Sequence, residues 1–100
     1  MKVEVSKSNI YNGTKTDSSH CPIALALKDQ KYEHPLVGVD GMIYLYHNKR
    51  GRYYIAGLKA RKFIKKFDND EIVGSGTFRI YNVTYILSII GIILIAWIIL

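Results

Sequence analysis

Cysteine occurs once in these 100 residues, at Cys21, and proline twice, at Pro22 and Pro35. A single cysteine excludes a disulfide within the chain, and a lone thiol suits a reducing compartment. Metal-ligand spacing is equally scarce. His20, His34 and His47 stand apart, with no Cys-x-x-Cys or His-x-x-x-His pattern, so neither a metal nor another cofactor is expected. The opening stretch MKVEVSKSNI lacks the continuous apolar run of a signal peptide. Charge, too, is missing from one place: the 14 Lys and Arg and the 8 Asp and Glu all precede Val83, which leaves VTYILSIIGIILIAWIIL without a charged side chain.

That run sets the membrane expectation. Val83 to Leu100 is eighteen residues, and at 1.5 Å per residue a helix of that length spans about 27 Å, close to the ~30 Å hydrocarbon thickness of a bilayer. Eleven of the eighteen are Ile or Leu, each contributing about 0.3 to 0.6 kcal/mol to insertion near the bilayer centre. A buried helix inside a soluble oligomer would be equally apolar, but about eighty other residues have too little surface to cover one. The reading is therefore two parts: residues 1–82 as a basic cytoplasmic domain, and residues 83–100 as a transmembrane anchor. Without a signal peptide, insertion is expected to follow synthesis, as in a tail-anchored protein. The flanking cations, Arg79 and further back Lys65 and Lys66, lie before the run, and the positive-inside bias then keeps the domain in the cytoplasm. Tyr81 and Tyr85 are expected at the near membrane interface and Trp97 toward the far one.

Residues 1–82 read as a small α+β domain. Val3 and Val5 alternate with Lys2 and Glu4, a half-buried strand. A turn-rich stretch with Asn12 and Gly13 follows, and Asp17, Ser18 and Ser19 offer N-cap oxygens to a helix starting near Cys21 and Pro22. That helix is expected to stop before His34 and Pro35, because a residue preceding proline resists the α conformation. Leu36–Val39 and Met42–Tyr46 flank Asp40-Gly41, the signature of a type I′ hairpin, and His47–Gly51 reads as a second, longer turn before a strand over Arg52–Ile55. Ala60, Phe63, Ile64 and Phe67 then recur at helical spacing after Gly57, and Thr77–Ile80 reads as a closing strand. The expected order is strand, helix, three-stranded meander, helix, strand, membrane helix. A core this small gives only ~3 to 5 kcal/mol unaided, so self-association is expected.

The charge is uneven as well. Of a net +6, eight cations and no acids fall between Lys49 and Lys66. Lys59, Arg61, Lys62, Lys65 and Lys66 form the basic face of the second helix, a surface suited to anionic membrane lipid. Tyr44, Tyr53, Arg50 and Arg52 lie close together on the meander, where aromatics and cations of this kind stack rings and neutralise phosphate, so they are the candidate binding residues for a nucleotide or nucleic acid. The same tyrosines also suit a plain strand surface. No catalytic residue is expected. Cys21 beside His20 suggests a nucleophile, but adjacent helical residues diverge by about 100° and small buried thiols commonly just pack.

One resemblance adds to this. Cys21-Pro22-Ile23-Ala24-Leu25-Ala26, the segment Phe63-Ile64 followed by Phe67-Asp68, and Thr77-Phe78-Arg79 resemble the motifs of a family of short bacteriophage proteins, here with an added membrane run. The resemblance implies a viral origin, a bacterial host and hence the host inner membrane, and implies no mechanism. The leading expectation is a non-enzymatic accessory protein that binds a host or viral protein partner at that membrane, interfering with host defence or superinfection. A tethered nucleotide sensor or sponge, and a membrane-disrupting effector, are the alternatives.

Overall fold

The computed structural model of the protein describes residues 1–83, and they form an α+β domain built on one antiparallel sheet. In chain order the elements are β1 (Lys2–Val5), α1 (Lys7–Asn12), α2 (Pro22–Asp29), β2 (Glu33–Val37), β3 (Met42–His47), β4 (Arg50–Ala56), α3 (Leu58–Asp68) and β5 (Gly76–Asn82). The sheet order is β1-β5-β4-β3-β2. The meander β2-β3-β4 is as the sequence suggests, whereas β5 enters between β1 and β4 and is bonded on both sides.

Alternation then divides the side chains between two faces. Val3, Val5, Val37, Ile43, Leu45, Ala56 and Ile80 point inward and are buried. Ile23, Ala24, Ala26 and Leu27 of α2 and Ala60, Phe63 and Ile64 of α3 cover them. The Ala60-Phe63-Ile64-Phe67 stripe expected of α3 does face the core, with Phe63 tilted against Phe78 at 4.9 Å. α2 touches both edge strands, so the sheet curls around it. Gln30, which caps the end of α2, completes the closure: its amide accepts from Glu4 N at 3.1 Å and donates to Lys2 O at 3.2 Å, pairing the free edge of β1. At the opposite edge Val37 N donates to Ser18 O at 2.8 Å. Both edges are thereby denied to another strand.

Several local expectations are corrected. The stretch after β1 is not all turn: Ser6 and Asn9 form a reciprocal capping box that starts α1. Asp17, Ser18 and Ser19 do not cap α2. Cys21 holds the N-cap position, while the Asp17 carboxylate accepts from Ser19 N and His20 N, both at 3.1 Å, in a turn of its own. α2 stops at Asp29, well before Pro35, which is buried within edge strand β2 beside a register shift. The two hairpins exchange roles. At Asp40-Gly41 only Gly41 takes a positive φ, +88°, and Gly41 N donates to Gly38 O at 3.0 Å, a three-residue loop with a glycine bulge rather than type I′. The tight two-residue turn is Asn48-Lys49, both at positive φ, so β4 begins at Arg50, earlier than expected.

Leu27 is fully buried between both halves of the core. Leu27→Ala removes that packing and leaves a cavity, so denaturant unfolding of the full-length chain in detergent is expected to lose about 2 to 5 kcal/mol. A loss below ~1 kcal/mol would contradict this core assignment.

Candidate functional site

The register of β3 and β4 separates the residues that the sequence placed together. Tyr44 pairs with Tyr53, and both rings lie on the face that no helix covers among the described residues, 5.1 Å apart and edge to face. Arg52 pairs with the buried Leu45, and Arg50 with His47, so both arginines point to the opposite, inward face. Tyr44 and Tyr53 on one side and Arg50 and Arg52 on the other therefore cannot grip one ligand.

Two surfaces result. The first is the open face of the sheet, where Leu36, Tyr44 and Tyr53 form one cross-strand row and Met42, Ile55 and Tyr81 the next. Leu36 is 45% exposed, Tyr53 56% and Tyr81 48%, which is unusual for large apolar groups side by side. Gly51 is required here, because the Tyr44 ring lies over its α-carbon where any Cβ would collide.

The second surface is concave. Beyond the last inward core residues, Tyr32, Leu45, His47, Asn48, Arg50, Arg52 and Tyr54 line a cavity of about 380 Å³. Tyr32 reaches it from the end of α2, tilted against His47 at 5.5 Å, with its hydroxyl on the Met1 sulfur at 3.2 Å. No acid lines the cavity. Among the described residues neither guanidinium has an ion-pair or hydrogen-bond partner. The sequence grouped these arginines with Tyr44 and Tyr53, whereas the register puts Tyr54 on their face. Counting by twos along β4 from Arg50 through Arg52 reaches Tyr54, but Tyr32 arrives through tertiary packing and left no local signal.

The basic face of α3 is less uniform than its sequence. Lys59, Lys62, Lys65 and Lys66 are exposed, but Arg61 turns back, its Nε donating to Ala56 O at 3.0 Å beside Gly41. Acids at the end of this helix and just beyond it hold a loop: Asp68, its last residue, accepts from Thr16 N at 3.0 Å, and Asp70 pairs with Lys15 at 2.8 Å. Tyr81 is the one described residue of the expected membrane-interface set; Tyr85, Trp97 and all of the expected anchor after Val83 lie outside the described residues. Among the described residues no helix is long and apolar enough to cross a membrane.

Cys21 lines a second cavity, of about 120 Å³, with Phe63, Phe67 and Asp68. Burial pushes its thiol above the ordinary value, and the carboxylates of Asp68 and Asp17 push the same way against the helix N–H groups of Ala24 and Ile23. A buried thiol of this kind stays protonated at neutral pH, which is the reverse of what a nucleophile needs. His20 is turned toward the Asp17 carboxylate at 3.1 Å, and it holds that carboxyl below its ordinary range.

No family model, no curated protein and no solved structure matches this chain. The geometry alone therefore carries the reading of function.

Burial makes the Cys21 thiolate harder to form in the folded protein than in the unfolded chain. Alkylation of Cys21 by iodoacetamide at neutral pH is expected to run at least tenfold slower than in denaturant, with the folded rate climbing only in strong alkali. Equal rates in the two states would restore Cys21 as a reactive group.

Proposed function

We propose that this protein is a membrane-tethered recognition domain that binds a protein partner at the cytoplasmic surface of a bacterial inner membrane. One observation carries the reading. β5, paired with β1 over its first residues and with β4 over its last three, ends at Asn82, and the uncharged eighteen-residue run begins at the next residue. No linker separates domain from run, so a bilayer that takes up residues 83–100 holds the sheet against its surface.

Partner binding is supported by the open face. A membrane-held domain that leaves Leu36, Met42, Tyr53 and Tyr81 exposed in two adjoining rows offers the aromatic and methionine composition of interface centres. The burial of Cys21, which pushes its thiol above the ordinary value, supports reading this residue as packing and the domain as one of recognition. The bacteriophage resemblance of the Cys21–Ala26, Phe63–Asp68 and Thr77–Arg79 segments supports a viral accessory protein in a bacterial host, for which interference with host defence or with a second infecting phage is a fitting role. Orientation with the domain inside rests on Arg79, the cation nearest the run.

Two measurements test this. The full-length chain expressed in bacteria is expected to sediment with membranes and to resist alkaline carbonate extraction, and release into the carbonate supernatant would remove the tether. A photoreactive phenylalanine placed at Tyr53 is expected to crosslink one discrete membrane-associated protein, whereas the same group at Lys62 on α3 is not. Identical crosslinking from both positions would argue against the open face as the binding surface.

A further inference from the structure

The strand register fixes which end of the domain meets the membrane. Asn82, the last residue of β5, faces Tyr54 across the β4–β5 ladder. β4 runs the other way and starts at Arg50, so it extends past the end of β5 in the direction in which β5 points. At about 3.3 Å per residue, Arg52 and Arg50 lie roughly 7 and 13 Å beyond the level of Asn82. The Asn48-Lys49 turn lies further still, and the arginine-lined cavity sits at this same end. α3, by contrast, begins after Ala56, which faces Ile80, and leads through residues 69–75 to Gly76 at the opposite end of β5. The basic face of α3 therefore lies on the far side of Ile80 from the cavity.

We propose that the cavity bounded by Tyr32, His47, Arg50, Arg52 and Tyr54 binds the phosphate of an anionic lipid headgroup. The inference rests on the tether proposed above: residues 83–100 in the bilayer bring this end of the sheet to the membrane, with the sheet inclined to the bilayer so that Arg50 and Arg52 stay at the phosphate level and out of the hydrocarbon. Its further support is independent of the tether. Two guanidiniums on one strand face, with no carboxylate in the lining and no partner of their own among the described residues, leave an uncompensated positive site. Guanidinium is suited to phosphate because its planar donors match two oxygens at once. The volume of about 380 Å³ lies within the range of small-molecule sites. Tyr32 and Tyr54 present rings whose apolar bodies suit the glycerol region and whose hydroxyls suit water, the usual preference of tyrosine at a bilayer surface. The cations that read the lipid are thus Arg50 and Arg52 with Lys49 at the turn, in place of Lys59, Lys62, Lys65 and Lys66.

The test uses the full-length chain in vesicles of phosphatidylcholine alone and of phosphatidylcholine with phosphatidylglycerol. Retention by each vesicle against alkaline extraction is measured first. Arginine modification by phenylglyoxal, an uncharged reagent, is then followed by mass spectrometry at Arg50 and Arg52, with Arg61 as the internal reference. Modification of Arg50 and Arg52 is expected to slow several-fold in the anionic vesicles while Arg61 is unchanged. A chain not retained by either vesicle overturns the tether and this inference with it. Retention with equal rates in the two lipids overturns the inference and leaves the tether standing. In detergent, inorganic phosphate and adenosine monophosphate serve as the soluble arm, and protection by either to the same degree as by phosphatidylglycerol would reassign the site to a free phosphate compound. As a second readout, phosphatidylglycerol copurifying with the chain is expected to fall several-fold in R50Q/R52Q and to stay unchanged in K59Q/K62Q/K66Q. The reverse pattern would return lipid binding to α3.

Discussion

The place of β5 between β1 and β4 is the constraint on which the rest of this molecule depends. Ile80 N donates to Met1 O at 2.9 Å and the Met1 amino group donates to Ile80 O at 3.1 Å, joining segments 79 residues apart. Ile80 itself is fully buried at the centre of the inward face. Once β5 is held there, the sheet has two covered edges, one face under α2 and α3, and one face that none of the described residues covers. It also has a defined point of exit toward residue 83. At that exit β5 is held by β4, through the pairing of Ile80, Tyr81 and Asn82 with Ala56, Ile55 and Tyr54, while β1 ends opposite Ile80.

That exit gives the two faces of the sheet separate work. The inward face is filled by core over most of its area and opens into a basic cavity only where the β3–β4 hairpin outruns its neighbours. The outward face stays continuous, aromatic and uncovered. A single hairpin thus supplies Tyr44 and Tyr53 to one surface and Arg50 and Arg52 to the other, because consecutive strand residues point to opposite sides. The two proposed functions, partner binding and headgroup binding, would not compete for the same atoms.

Much of the element order was legible locally. The alternation of Val3 and Val5, the Ala60-Phe63-Ile64-Phe67 stripe and the three-stranded meander all depend on side-chain spacing within one segment, and each was found. The misses share a cause. α1 is only six residues and starts on a Ser6–Asn9 capping box, a weak signal next to Asn12 and Gly13. The hairpin types were exchanged because Asp40-Gly41 is the stronger sequence pair for a type I′ turn. The positive φ of both Asn48 and Lys49 instead follows from the pairing of His47 with Arg50, and pairing is settled between strands.

The sequence by itself determined what depends on neighbours in the chain: the lack of a disulfide, an α+β domain of modest size, an amphipathic basic helix, and an uncharged apolar run after residue 82. Tertiary structure alone decided the strand order, the split of the Tyr44, Tyr53, Arg50 and Arg52 set across two faces, the arrival of Tyr32 beside the arginines, and which cations stand at the end where β5 leaves the sheet. The physical reason is that hydrophobic period reports which way a side chain points within its own element. Which element lies next to it is fixed by backbone hydrogen bonds and buried contacts between residues far apart in sequence, and no local pattern encodes those.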